Sequence, residues 1–146
     1  MAYRVLHAAD AFWRPSNQMK VQNTDLSKQL EADTVAARFW RIAPGQASTK
    51  HRHIRTSELY VVIEGTGRMR IGDEVMTLEP GSAVWIEPET VRQPFNDTDE
   101  DCLWLVAGSP QEDANTLRMS DDTLATLYPD GPRALPPELG GGTFKP

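Results

Sequence analysis

From Pro44 onward, turn-forming residues cut this chain into pieces too short for helices of ordinary length. Gly65-Thr66-Gly67 and Gly72-Asp73 carry the residues of tight hairpin turns, because glycine reaches positive φ without a Cβ clash. Pro80-Gly81 suits a type II turn, and Pro88 and Pro94 interrupt the chain again. The segments between them alternate in polarity and favour β-formers. Strands are predicted at Thr34–Ile42, Glu58–Glu64, Arg68–Ile71, Glu74–Leu78, Ala83–Ile86, Arg92–Phe95 and Cys102–Ala107, with a further short one at Tyr3–His7. Many short strands at even spacing imply a sandwich or closed barrel rather than a parallel sheet.

Helical signals are confined to the ends. Asn23-Thr24-Asp25 caps a short turn running to Leu30, and Ser120 caps Asp121–Tyr128, stopped by Pro129. The stretch Asp10–Leu30 is polar and amide-rich, with Phe12 and Trp13 as anchors, and the tail after Pro129 is rich in proline and glycine. The expected organisation is one structural domain: an N-terminal arm (1–31), a barrel (32–109) and a C-terminal arm (110–146). Such arms cover a barrel edge or cross to a partner subunit.

Charge and cysteine usage narrow the function. A net charge of −6 disfavours nucleic acid and anionic membranes as partners, despite the basic run Lys50–Arg55. No apolar run approaches the roughly 18 residues of a membrane span, and the N-terminus lacks the pattern of a signal peptide. The single cysteine, Cys102, rules out an internal disulfide and makes the cytoplasm the expected compartment. Its apolar surroundings, CLWLVA, point to a buried, inert thiol. His7 has no partner in sequence and is read as a packing or surface residue. Trp40, Trp85 and Trp104 lie in apolar strands and are expected to fill or line the core.

One stretch carries chemistry: GQASTKHRHIRTSELYVVIEG, from Gly45 to Gly65. Residues two apart on a strand share a face, so His51 and His53 project together with Arg52 opposite. Glu58 opens the next apolar strand and can face the same point if the strands are neighbours. Two imidazoles and a carboxylate on one side of a metal leave open positions for water or substrate.

This stretch resembles the first motif of the cupin family: a glycine, five residues, His-x-His, a short spacer, Glu, six residues and a glycine. Gly45, His51, His53, Glu58 and Gly65 match every position. A looser likeness to the second motif follows, with Gly72, Pro80-Gly81, Pro88 and the run Gln93-Pro94-Phe95-Asn96-Asp97. The resemblance implies an all-β fold, a double-stranded β-helix or jelly-roll barrel with short helical or extended arms at both ends, pairing as a homodimer. It also implies one divalent metal ion, Mn, Fe, Zn or Ni, on His51, His53, Glu58 and Gln93. Gln93 stands where the family usually places its last histidine. It either completes a four-residue shell, stays outside a two-histidine, one-carboxylate triad, marks a site of weakened affinity, or serves as a structural amide.

Tyr60 shares the parity of Glu58 and, with Trp40 and Phe95, makes up the expected substrate-contacting set. The function implied is a metal-dependent enzyme of dioxygenase, isomerase or lyase type acting on a small polar organic molecule. The alternative is a small-ligand-binding or sensor barrel whose metal is structural or lost.

Overall fold

A computed structural model describes residues 2–146. Nine strands form two antiparallel sheets. The larger has six strands in the order β1 (Arg14–Pro15), β2 (Gln22–Asp25), β3 (Ala36–Ile42), β9 (Cys102–Ser109), β4 (Ser57–Glu64) and β7 (Ala83–Ile86). The smaller has three, β6 (Glu74–Leu78), β5 (Gly67–Ile71) and β8 (Arg92–Phe95). The architecture is the double-stranded β-helix expected from the resemblance. Beside the strands are helices α1 (Leu26–Gln29) and α2 (Asp121–Leu127) and three short 3₁₀ turns. Among the described residues no helix is long and apolar enough to cross a membrane.

The predicted strands from Glu58 to Ala107 form within one or two residues of their expected ends, because the turns between them are chemically specified. Gly65 has φ 77°, and a Cβ there would come within 2.2 Å of the Asp101 carbonyl oxygen, so no other residue fits that turn. The caps also form as read. The Asp25 carboxylate accepts from Lys28 N–H, and the Ser120 hydroxyl accepts from Thr123 N–H.

The N-terminal segment departs from expectation. Tyr3–His7 is not a strand, whereas Arg14–Pro15 and Gln22–Asp25 are, and they extend the larger sheet beside β3. Apolar alternation does not mark them because the inward positions are polar. Asn23 is buried, donating to the Arg14 and Val21 carbonyls and accepting from Arg38, and Asp25 pairs with Arg38 at 2.9 Å.

The core lies between the sheets, built from Val62, Met69, Ile86, Trp104 and Val106 with Met19, Val21 and Ile42. Trp104 is fully buried and Trp40 packs against the cluster, but Trp85 is 61% exposed. Trp85 opposes Leu59 across β4 and β7, so alternation puts both on the outer face. Cys102 is buried, and that burial pushes its thiol up to about 12.

The C-terminal arm wraps the smaller sheet from outside. Leu135, Leu139 and Phe144 pack onto the core from that side, and Glu138 pairs with Arg70. The basic run is occupied in the same way. Lys50 pairs with Asp130, and the Arg52 side chain donates to the Thr126 carbonyl in α2.

Candidate metal centre

Two antiparallel alignments bring the candidate ligands together. Residues 45–51 run beside β8, bridged at Ala47–Phe95 and His51–Arg92. His51 and Arg92 exchange both backbone hydrogen bonds, at 3.0 and 2.9 Å, so their side chains share one face. That face looks across the barrel to the inner face of β4, where Glu58 and Tyr60 project. Gly108 opposes Glu58 in register, and a Cβ there would lie 3.2 Å from the Glu58 side chain and 2.7 Å from Thr56. The glycine leaves the room in which Glu58 and Thr56 lie.

The donor atoms of His51, His53 and Glu58 all lie within 4.8 Å of one another. His53 Nε2 is 2.9 Å and His51 Nε2 is 3.5 Å from Glu58 Oε1, and the imidazoles meet edge-on with centroids 5.0 Å apart. All three side chains retain only 13–17% exposure. An acceptor lies beside the far nitrogen of each ring. His51 Nδ1 lies 3.0 Å from the Thr49 carbonyl, and His53 Nδ1 lies 3.6 Å from Glu112 Oε2. A backbone carbonyl can only accept, so His51 carries a proton on Nδ1 and presents Nε2 to Glu58. Glu112 itself accepts from the backbone N–H groups of Ile54, Arg55 and Thr56, and these hold its carboxyl below the usual range although burial opposes the shift.

A cation between the two ring nitrogens and the carboxylate would satisfy all three donors at once. Burial alone would raise the Glu58 carboxyl, but hydrogen bonding with His51 and His53 holds it well below the ordinary carboxylate range. Tyr60 adds a hydrogen bond, its hydroxyl donating to Glu58 Oε1 at 2.8 Å. Burial and the adjacent Glu58 charge push that phenol well above its usual value, so it stays protonated. The donor set therefore fits a divalent ion on His51 Nε2, His53 Nε2 and Glu58.

Residues 38–108 match the family model described as Cupin domain. The protein belongs to the cupin superfamily. No curated protein matches the chain in sequence. Solved structures share its fold. A cupin-superfamily sugar phosphate isomerase from Silicibacter pomeroyi matches with a TM-score of 0.66 at 19% identity, over 74% of this chain and 76% of its own. KdgF from Halomonas sp. matches at 0.63 and 19% identity, over 73% and 94%. A predicted oxalate decarboxylase from Thermotoga maritima matches at 0.65 and 16% identity, over 74% and 100%.

Within this cupin barrel, Gln93 does not join the other three expected ligands. It lies on β8 next to Arg92 and so projects from the opposite face. There its amide nitrogen donates to the Ser48 and Ala134 carbonyls at 2.9 and 2.8 Å, beneath the C-terminal arm. Of the open readings of Gln93, the structural amide matches this placement. Phe95 shares that outer parity and is buried under the Arg68 guanidinium, 5.3 Å from its ring centroid. It is therefore not placed to contact a substrate at the metal centre. Tyr60 reaches Glu58 directly, and Trp40 lies on the same inner face of its sheet, two strands away.

Arg92 escaped the sequence reading. It occupies the place on β8 that faces the triad, fully buried, with Nε 3.9 Å from Glu58 Oε1. The signal was present in the spacing. Asn96, buried and donating to the Ile42 carbonyl, closes the second motif, and Arg92 lies four residues before it, at the parity of His51.

Proposed function

We propose that this cupin is a metal-dependent enzyme acting on a small polar organic molecule, with one divalent ion, Mn, Fe, Zn or Ni, held by His51, His53 and Glu58. The convergence of those three donors, with the far nitrogen of His51 held by the Thr49 carbonyl, is the observation that carries the reading. When bound, the ion would supply an electrophile that polarises an oxygen of the ligand. The chain's own residues prepare for this. The Thr49 carbonyl orients the His51 ring, the Glu112 carboxylate lies beside His53, and Tyr60 holds Glu58 by donating its hydroxyl proton. The names of the structural neighbours, an isomerase of sugar phosphates and a predicted decarboxylase of oxalate, support a small polar substrate more than any one reaction.

Elemental analysis of protein purified without an affinity tag tests the metal. About one equivalent per chain is expected, or recovery of one after incubation with Mn, Fe, Zn or Ni. Under a tenth of an equivalent after all four would overturn the reading. A second reading, a small-ligand-binding or sensor barrel, draws support from Arg92, since a fixed cation beside Glu58 opposes a second one.

We also infer a homodimer that pairs through the outer face of the larger sheet. There Trp85, Leu59 and Ile63 are 61%, 37% and 40% exposed, more apolar surface than a β4–β7 edge keeps without a partner. The one cysteine, buried and unpaired, is in keeping with a cytoplasmic setting.

A further inference from the structure

The guanidinium of Arg92 is the most confined charge in the protein. The side chain has no exposed surface. Its terminal nitrogens are taken up by the loop before β8. Nη1 donates to the Pro88 carbonyl at 3.3 Å, and Nη2 to the carbonyls of Glu87 and Ile86 at 3.1 and 3.5 Å. Nε is buried with no partner. The carboxylate beside it, Glu58, is 3.9 Å away, beyond hydrogen-bond reach, and its near oxygen already meets His53 and Tyr60. A buried donor on a permanent cation is costly to leave unmade, and three backbone bonds fix this one so that it cannot swing to water.

The charges around it set what could satisfy Nε. Arg92 contributes +1, Glu58 −1, and the Glu112 carboxylate behind His53 another −1. These sum to −1 in the metal-free site and to +1 once a divalent ion joins the triad. Surplus positive charge and a free N–H, among side chains left at most 17% exposed, favour an anionic oxygen.

We propose that Arg92 is the specificity-determining residue of the site: it selects a ligand carrying a carboxylate or phosphate oxygen, which accepts from Nε–H while lying next to the metal. This rests on the metal reading above and narrows the small polar molecule to an anionic one. Gln93, one residue on, does not substitute for it, being turned outward and bonded to backbone.

The test uses titration calorimetry on the full chain, zinc-loaded and metal-free, with malonate and inorganic phosphate as separate probes. Zinc-loaded wild type is expected to bind at least one probe, and the stronger of the two tells carboxylate from phosphate. Arg92→Met is expected to weaken that binding by about tenfold or more while zinc affinity is retained or improved. Wild type binding neither probe, or Arg92→Met binding as wild type does, overturns the proposal and leaves the metal reading standing. Absence of zinc uptake removes the metal reading instead, and Arg92-dependent binding to the metal-free chain then decides this one. Should Arg92→Met not fold, wild type alone is decisive. The Arg92 Nε–H resonance must shift on saturation with the bound probe, and an unmoved resonance refutes the contact.

Discussion

Arg92 and Gln93 are neighbours on one strand, both buried to within 1% of zero exposure, and they do opposite things. Arg92 faces the barrel interior, across from His51 and beside Glu58. Gln93 faces outward and ties the C-terminal arm to the sheet through Ala134 and to the histidine segment through Ser48. Burial is therefore no guide to function here. The pleat decides, because successive side chains leave a strand on opposite faces. The inner face of β8 should govern what the site binds, and the outer face should govern how well the arm is held.

The largest test of that division is on the inner face. Glu58→Ala or His51→Ala removes a donor outright and should weaken metal binding by more than the roughly hundredfold that loss of an outer partner costs. Metal content after dialysis measures it. Full retention of metal in either variant would mean that the three donors do not act as one site.

The next test sets the two neighbours against each other. Arg92→His exchanges an inward cation for an inward imidazole opposite His51, and should tighten zinc by about tenfold or more. Gln93→His places its ring under the arm and should give no gain. A gain from Gln93→His equal to that from Arg92→His would show that β8 can present either residue to the interior, and calorimetry with zinc distinguishes the outcomes.

The difference between these residues also marks where sequence reasoning stopped. The turns of the smaller sheet and the His-x-His to Glu spacing were legible because each rests on local chemistry: glycine at positive φ in Gly65 and Gly72, and alternation in His51 and His53. The register of β8 was not. Pro94 interrupts the alternation, and a slip of one residue turns every side chain to the other face. Thus Gln93 took the place that belongs to Arg92, and Phe95 was carried inward with it. The same limit hid β1 and β2, where buried Asn23 and half-buried Asp25 are both held by Arg38. Trp85 failed for a related reason: its strand was recognised, but an aromatic ring alone does not say which face it occupies.

Outer-face substitutions should act on stability alone. Gln93→Ala leaves the Ser48 and Ala134 carbonyls without their donor and opens a small void, at a cost of about 1–3 kcal/mol. Urea unfolding should show the loss, and limited proteolysis should cut the C-terminal arm sooner. Zinc affinity should match wild type. A parallel fall in zinc affinity would mean that the two faces of β8 are coupled through His51.

The mildest probe lies farther along the same outer surface. Arg68 forks onto Asp97 with bonds of 2.9 and 3.0 Å, and the guanidinium holds the Asp97 carboxyl below its ordinary value against the small opposing effect of burial. A carboxyl lowered in the folded state stabilises the fold above its unfolded pKa, and that contribution disappears as pH falls through the lower folded value. Arg68 stays charged throughout, so Asp97 alone sets the window, which lies below about pH 4. The pair is near the surface, so solvent screening limits its worth to about 1 kcal/mol or less. Asp97→Asn should thus melt slightly below wild type at pH 7, and the gap should close on acidification through that window. A gap that persists at the acid end would assign Asp97 a packing role against Phe95 and Arg68 rather than an electrostatic one. Metal binding should be unmoved at every pH where both proteins are folded, because this ion pair, like Gln93, belongs to the face of the sheet that the triad does not see.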